Sequence, residues 1–314
     1  MKKLFALLLA LATMLALASC GGGGALTFTT GGETGTYYAY GGVIAQSVTA
    51  NTSTSVTAVS SDGSKANVLL LASGDAQLGF CQSDVMAYAY NGTSTFADVG
   101  AVKDFSTVAN LYMEQVQIVT CDPSIKTVAD LAGKKVSIGA AGSGVYFNAI
   151  DILGAYGLTE DDIVANFQNF GDSADSLTDG TIDAAFIVAG APTNAITSLA
   201  TGKDIYLVNL DDEHIAKLME TSPYYTKAVI PASAYDLAED TTTVAVGAVV
   251  IARDDVSEDA VYDFISDLFN SKDSLAHGKA AELDLEFAAN VTAVPYHPGA
   301  AKFFSEQGIT VPVK

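Results

Sequence analysis

Hydrophobic positions in this chain alternate between two spacings from about residue 26 onward. Short runs of β-branched and apolar residues repeat every two positions, as in strands, and longer runs repeat every three or four positions, as in helices. This alternation predicts an α/β fold built from βαβ units. The predicted strands are 26–30, 54–60, 77–81, 114–120, 135–139, 164–167, 184–188 and 242–252, and the predicted helices include 64–72, 85–90, 127–131, 143–156 and 173–178.

A glycine-rich turn follows the first predicted strand. Residues 31–42 are GGETGTYYAYGG, and either Thr34 or Thr36 is expected to cap the helix that begins there. Glycines let the backbone turn without a Cβ in the way, and a helix start offers free N–H donors at the positive end of its dipole. Such a turn suits an anionic ligand, although a single example is usually only a βα connection.

The same pattern recurs about 106 residues later in the chain. Residues 136–146 (VSIGAAGSGVY) again predict a strand, a Gly/Ser turn and a helix start. Phe80 and Phe186 end matching segments, and Gly74 and Gly180 show the same offset. A constant offset indicates two similar βαβαβ units. Because each unit directs a helix start at a loop-lined crevice, we expect a ligand to bind between them.

The end of the chain is predicted to return to the first unit. A long strand is expected over 242–252, and the tail is helical, with a last helix that starts near Pro298. A chain that passes from one lobe to the other and back crosses between them twice. The sequence therefore predicts one lobe from 26–120 and 246–314, a second from 121–245, and two hinge strands between them.

The first residues of the chain resemble an export signal. Two lysines precede an apolar run over 4–18, which is shorter than the roughly 20 residues of a mature membrane helix. The basic start and the small residues near its end predict a signal peptide over 1–19. Residues 17–20 (LASC) resemble a bacterial lipobox, which predicts lipidation of Cys20, and the glycines that follow predict a flexible tether over 20–25.

Charge limits the partners of the mature protein. The formal net charge of the 314 residues is −21 at pH 7, and removal of 1–19 takes away two lysines and no acids, which leaves −23. Nucleic-acid binding needs a basic surface, so this charge argues against it. No second apolar run is long enough to span a membrane.

Two cysteines follow Cys20. Cys81 and Cys121 both end strand-like runs, so the sequence fits either two thiols or one disulfide. The apolar character of the chain favours buried thiols, because a large core does not need a disulfide.

Five motifs carry a family resemblance. They are GGETGTYYAYGG at 31–42, LGFCQSD at 78–84, GSGVY at 142–146, AGAPT at 189–193 and YHPGAAKFFSEQG at 296–308. In this order, and over essentially the whole mature chain, they resemble the TAXI family of solute-binding proteins, which serve TRAP transporters driven by ion gradients. The resemblance implies a two-lobed, type II-like periplasmic-binding-protein fold that closes on a small acidic solute, with glutamate, glutamine or 2-oxoglutarate as the expected kind.

Partners and location follow from the same resemblance. We expect an extracytoplasmic receptor that is anchored to a bacterial membrane only through Cys20 and delivers a small anionic or zwitterionic solute to the membrane subunits of a TRAP permease. No cofactor is implied. The duplicated lobes predict a monomer that closes like a hinge.

The resemblance also implies a ligand site built from four turns. Its residues are Gly35, Thr36, Tyr37 and Tyr38 from the first turn, Gln82 and Ser83 from the second, Ser143, Gly144 and Val145 from the third, and Gly190 and Pro192 from the fourth. Ser83 fits equally well as a helix N-cap, and Pro192 fits the first position of a helix. Tyr37 and Tyr38 point about 100° apart on a helix, so one ring is expected to face the ligand while the other packs in the core.

The ligand's carboxylate is expected to bind without an arginine. The only arginine, Arg253, lies beside Asp254 and Asp255 at the end of the returning strand, and none of the four turns contains a lysine. Backbone amides and the hydroxyls of Thr36 and Ser143 are the donors that the turns offer.

Two other classes of protein remain as alternatives. The sequence argues against an enzyme such as a hydrolase, because Ala141 and Val145 replace the glycines of a G-x-S-x-G nucleophile elbow around Ser143, and the three histidines form no metal-binding pattern. A sensory lipoprotein could keep the binding fold without a transporter, and the genes beside this one would discriminate between the two.

Overall fold

The computed structural model describes residues 25–314, so the predicted signal peptide, Cys20 and most of the tether lie outside the described residues. Ten strands are present: β1 Leu26–Thr29, β2 Val56–Val59, β3 Leu78–Gln82, β4 Phe105–Thr120, β5 Lys135–Ser137, β6 Val164–Asn166, β7 Ala184–Ala189, β8 Tyr206–Leu207, β9 Thr226–Ile230 and β10 Thr241–Arg253. The α-helices are α1 Thr36–Asn51, α2 Ser64–Ser73, α3 Ser83–Asn91, α4 Val145–Ala155, α5 Phe170–Asp179, α6 Asn194–Ala200, α7 Asp212–Thr221, α8 Glu258–Asn270, α9 Leu285–Ala288 and α10 Pro298–Glu306.

All ten strands belong to one mixed sheet. Eight of them follow the order β2-β1-β3-β10-β4-β7-β5-β6, while β8 pairs with β4 and β9 pairs with β10. In the first half, β2, β1 and β3 are parallel and β10 inserts antiparallel beside β3. In the second half, β6, β5 and β7 are parallel and β4 inserts antiparallel beside β7. The two halves therefore repeat one topology.

The repeat predicted from the sequence is confirmed in detail. Gly74 and Gly180 both end a helix, α2 and α5, in the left-handed conformation that favours glycine, with φ of 87° and 68°. Phe80 in β3 and Phe186 in β7 are both fully buried. The offset of 106 thus matches equivalent βαβ elements.

The buried core divides with the sheet. One hydrophobic cluster contains residues 28–112 and 248–311, and two others contain residues between 116 and 246. We call the parts built around these clusters lobe 1 and lobe 2. The mixed α/β architecture with two lobes is confirmed, whereas the lobe boundaries given above stay a prediction.

Strands β4 and β10 cross between the lobes. They pair antiparallel from Phe105↔Arg253 to Gln115↔Ala245. Beyond this crossing, β4 pairs with β7 in lobe 2 and β10 pairs with β9. Glu114, opposite Val246, therefore lies where the chain leaves one lobe for the other.

Three predictions about helix starts are wrong. Gly35 rather than a threonine is the N-cap of α1, because the Thr36 hydroxyl donates to Gly190 O at 3.1 Å instead. Ser83 is the first residue of α3 rather than its cap, and its Oγ accepts from Gly247 N at 3.0 Å. Pro192 is not the first residue of α6, which begins two positions later behind the N-cap Thr193.

Other local predictions are confirmed. Pro298 opens α10, with His297 as the N-cap. Cys81 and Cys121 are free thiols, the first fully buried and the second half-buried. No helix within residues 25–314 is long and apolar enough to cross a membrane.

Candidate functional site

A cavity of about 60 Å³ lies between the lobes. On the scale at which one water needs roughly 10–15 Å³, it has room for several waters or a small solute. Its wall is formed by Gly31, Gly32, Gly35, Thr36, Tyr37, Ser61, Asp62, Gly63, Ser64, Gln82 and Glu114 from the first part of the chain, and by Ala140, Ser143, Gly144, Val145, Asn169, Phe170, Val188 and Ala189 from the second.

Five helix starts meet at this cavity. The N-caps of α1, α2, α3, α4 and α5 all contribute to its wall: Gly35, Gly63, Gln82, Gly144 and Asn169. Only the last of these caps its own helix with a side-chain hydrogen bond, from Asp172 N at 2.9 Å. The first N–H groups of a helix lack partners within it, and the helix dipole is positive at that end. The cavity is thus surrounded by donors that favour an anion.

No charged nitrogen contributes to the wall. Among the described residues that line the cavity there is no lysine, arginine or histidine, whereas Asp62 and Glu114 both line it. Arg253 pairs instead with Asp255, with Nε 2.5 Å from Oδ1, at the far end of β10. Arg253 therefore lies away from the cavity, and the expectation that the ligand binds without an arginine stays a prediction.

Glu114 is a buried carboxyl at the crossing of the lobes. It is 2% exposed, and Tyr37 donates its hydroxyl to Oε2 at 2.8 Å. Burial raises the pKa of Glu114 to about 8, while the Tyr37 hydrogen bond acts in the opposite direction. The ring of Tyr37 stacks on Phe80 at 4.5 Å between centroids, which fixes the hydroxyl against the carboxyl.

Gln82 reaches across the cleft from β3 to α4. Its Nε2 donates to Asn148 Oδ1 at 2.9 Å, while its Oε1 is buried without a hydrogen-bond partner in the part of the chain that the structure describes. Oε1 lies against Gly144, where an added Cβ would come within 1.5 Å of it. An alanine at this position would require the end of the Gln82 side chain and Val85 Cγ2 to move before the lobes could meet in this way.

A buried polar network joins the lobes beside the cavity. Asn148 on α4 donates through Nδ2 to Asp84 Oδ2 at 2.9 Å and to the Tyr225 hydroxyl at 2.7 Å. Tyr225 in turn donates to Asp151 at 3.0 Å. Burial raises the pKa of Asp84 to about 6. Separation of the lobes would break the bonds of Asn148 to Asp84 and to Gln82, whereas its bond to Tyr225 lies within lobe 2.

Backbone contacts also hold the lobes together. Ala195 N donates to Thr34 O at 3.2 Å, and Ala66 N donates to Gly142 O at 3.1 Å. With the Thr36–Gly190 hydrogen bond, these contacts involve the first turn of lobe 1 and both glycine turns of lobe 2. The described structure is that of a closed cleft.

The residues implied by the family resemblance divide into two groups. Gly35, Thr36, Tyr37, Gln82, Ser143, Gly144 and Val145 line the cavity together. The remaining four do not line it: Tyr38 is half-buried on α1, Ser83 contacts β10, Gly190 contacts Thr36 across the cleft, and Pro192 is exposed. Ser143 donates its hydroxyl to Ala140 O at 2.6 Å, so it also closes its own turn.

Several wall residues were missing from the sequence prediction. The loop from Ser61 to Ser64 precedes α2, and Asn169 and Phe170 open α5; both are further βα connections that point at the same crevice. Glu114 had a sequence signal, because it is a lone acid within the apolar stretch LYMEQVQIV. Asn148 lies on α4 without any motif around it.

Metal ligands are not clustered in the described part of the chain. No group of three or more histidine, cysteine, aspartate or glutamate side chains there could hold a metal ion. His277 stacks on Tyr40, and His297 Nε2 lies 3.1 Å from Val256 O.

Two crossing strands, two lobes of repeated topology and a closed cleft lined by helix starts define a type II periplasmic-binding-protein fold. The model of the NMT1-like family matches residues 28–308. The chain therefore belongs to the NMT1-like family. The narrower assignment to the TAXI family stays a prediction.

Solved structures share this fold at low sequence identity. The alkanesulfonate-binding protein SsuA from Xanthomonas axonopodis pv. citri, bound to MOPS, is 14% identical with a TM-score of 0.52, over 91% of this chain and 85% of SsuA. A ligand-binding component of an ABC-type import system from Staphylococcus aureus, with zinc bound, is 10% identical with a TM-score of 0.52, over 92% and 93% of the two chains. At these identities the similarity concerns the fold alone.

Proposed function

We propose that this protein is an extracytoplasmic receptor that captures a small acidic solute between its lobes. The observation that carries the proposal is the meeting of four helix starts without side-chain caps at a cavity that both lobes enclose. Their N–H groups and dipoles favour a negative charge at that point. The NMT1-like family and the type II fold support a binding role.

Solutes of the glutamate, glutamine or 2-oxoglutarate type are the proposed ligands. The motif resemblance supports this class, and the small volume of the cavity favours a compact molecule. Mass spectrometry of the protein purified under native conditions should find such a molecule retained, and calorimetry should show that it binds the stripped protein. Retention of a cation, or no binding by any carboxylate of this size, would contradict the proposal.

Neutral donors are proposed to hold the carboxylate. Ser143→Ala removes a wall hydroxyl that donates to Ala140 O in this structure, and it should weaken binding by about 1–3 kcal/mol if that hydroxyl turns to a charged oxygen of the ligand. Arg253→Gln changes the only arginine, which lies away from the cavity, and should leave the affinity within a few-fold. Calorimetry on both variants checks this ranking, and the reverse ranking would show that a guanidinium holds the ligand.

Delivery to a TRAP permease is the proposed next step, supported by the five motifs of the TAXI resemblance. An ABC-type permease is the second candidate, because proteins of ABC import systems share this fold. Uptake into vesicles that contain the permease encoded beside this gene distinguishes the two. We expect uptake to require an ion gradient and to continue without ATP; dependence on ATP would favour the second candidate.

A lipid anchor at Cys20 and a monomeric state complete the proposal. Cys20→Ser should release the protein from the membrane fraction, and light scattering should give the mass of one chain. We propose no catalysis, so solute recovered after long incubation should be chemically unchanged. A sensory receptor of the same fold would bind the solute equally but would not support uptake in the vesicles.

A further inference from the structure

The cavity between the lobes brings a buried carboxyl close to the place proposed for an acidic solute. Glu114 lines the cavity and is 2% exposed, and Asp62 lines it as well. Within the described wall no lysine, arginine or histidine balances these acids. An ionised Glu114 would place a second negative charge beside an enclosed anion, in a space shielded from bulk water, and the repulsion there is stronger than in water.

The surroundings of Glu114 hold it as a neutral acid in the closed cleft. Burial is the largest effect and raises its pKa to about 8, and the charge of Asp84 acts in the same direction. The hydroxyls of Tyr37 and Tyr112 and the charge of Lys279 favour the ionised form but do not outweigh burial. The titratable groups that act on Glu114 are Tyr37 on α1, Cys81 on β3, Asp84 on α3, Tyr112 on β4 and Lys279 in the short helix Gly278–Glu282.

Opening of the cleft would return Glu114 to water. Lobe 2 closes the cavity with neutral groups, among them Val145 and Val188, and none of its described wall residues has a titratable side chain. When the lobes separate, this cover leaves and water reaches the carboxyl. A hydrated glutamate has the ordinary pKa of about 4.5 and is ionised at pH 7. The same side chain therefore holds a proton in the closed protein and none in the open one.

We propose that the protein takes up one proton together with its solute, and that Glu114 is the group that carries this proton. The proton comes from the solvent, binds a carboxylate oxygen as the lobes close, and returns to the solvent when they open. The inference rests on the proposed function and adds a second bound species to it. Because the closed form holds more protons than the open form, a fall in pH favours capture of the solute and a rise in pH favours its release.

Calorimetry in buffers with different enthalpies of ionisation counts the protons taken up on binding. The stripped wild-type protein is titrated at pH 7 with L-glutamate, L-glutamine and 2-oxoglutarate, each in phosphate, imidazole and Tris. The slope of the observed heat against the ionisation enthalpy of the buffer gives the number of protons per solute. A pKa of about 8 in the closed form predicts uptake of about 0.9 proton at pH 7. Binding should also weaken at least about tenfold from pH 6 to pH 8.5.

Three variants test whether Glu114 carries the proton. Glu114→Gln does not ionise, so proton uptake should fall to near zero and the affinity should no longer depend on pH. Glu220→Gln, which changes an exposed glutamate on α7, should keep the wild-type uptake. Tyr37→Phe removes a donor that favours the ionised form of Glu114, so the pH at which half a proton is taken up should move upward.

The possible outcomes separate this inference from the proposed function. If a solute binds the wild type with the same heat in every buffer, or if Glu114→Gln still takes up a proton, the inference is wrong while the receptor proposal stands. If none of the three solutes binds, both are wrong. Should Glu114→Gln fail to fold, Tyr37→Phe decides: an upward shift of the half-uptake pH supports the assignment to Glu114, and an unchanged value overturns it.

Discussion

Among single residues, Glu114 should control how stability depends on pH. Its pKa is raised from 4.5 to about 8 by burial, so the fold favours the protonated form. The contribution of Glu114 to the free energy of unfolding is complete below about pH 4.5 and is lost as the pH rises through 8. Over this range the unfolded chain has already released the proton that the folded chain still holds. One pKa unit corresponds to about 1.4 kcal/mol, so the loss is on the order of a few kcal/mol.

Urea unfolding from pH 5 to 8.5 measures this dependence. The wild-type protein should lose stability relative to Glu114→Gln as the pH rises, because glutamine keeps an acceptor for Tyr37 but does not ionise. The difference between the two proteins removes the contributions of all other carboxyls. Parallel curves would mean that Glu114 has an ordinary pKa.

Tyr37 and Tyr38 should respond differently to removal of the hydroxyl. The Tyr37 hydroxyl donates to Glu114, so Tyr37→Phe should cost about 0.5–1.5 kcal/mol of stability and weaken solute binding as well. Tyr38 is half-buried and does not line the cavity, so Tyr38→Phe should leave both unchanged. Thermal unfolding and calorimetry check the pair; equal effects would show that the cavity does not distinguish the two rings.

The sequence predicted the positions of single residues best where a turn defined the geometry, while their contacts with a ligand stay predictions. The glycine turns correctly brought Gly35, Ser143 and Gly144 to one cavity, because backbone conformation follows from local sequence. Asn148 and Glu114 depend on pairs more than 60 residues apart in sequence. Such long-range pairing leaves no local pattern. Pro192 is the converse case, because its local sequence predicted a place in the ligand site but its side chain is exposed.

At the scale of elements, the start of α4 should decide whether the lobes can meet. An added Cβ at Gly144 would lie 1.5 Å from Gln82 Oε1 and 2.9 Å from Val85 Cγ2, both in lobe 1. Gly144→Ala should therefore hold the cleft open and weaken solute binding by at least about tenfold, or roughly 1.4 kcal/mol.

Gly154→Ala is the matched control for this prediction. It makes the same change near the end of the same helix, where an added Cβ has no neighbour within 4 Å. Its affinity should equal that of the wild type, and its stability should rise by about 0.5–1 kcal/mol because alanine is the better helix former. Equal affinities for both alanine variants would show that the cleft closes without the Gln82–Gly144 contact.

The order of the elements was more predictable than their ends. All strands of the two repeated units occur where the hydrophobic pattern placed them, and the long strands β4 and β10 cross the lobes as expected. Strand β4 begins at Phe105 rather than at 114, because its first half is buried throughout and shows no alternation. Helix starts were misassigned where the hydroxyls of Thr36 and Ser83 bond to other elements instead of capping.

For the whole molecule, the closed cleft implies that solute and stability are linked. A solute that bridges both lobes binds only the folded, closed protein, so it stabilises by mass action. At a hundredfold excess over the dissociation constant the gain is about 2.7 kcal/mol, which should raise the melting temperature. The two-lobed shape itself was predictable, because a repeated unit followed by a returning strand specifies two crossings.

The most direct test of the account is whether the protein closes around its solute. Small-angle X-ray scattering should be measured on the stripped protein, and then at a solute concentration at which calorimetry shows saturation. We predict that the radius of gyration falls on binding in the wild type and in Gly154→Ala, and stays at its larger value in Gly144→Ala. An identical scattering profile for the free and the saturated wild-type protein would contradict closure of the lobes around the solute.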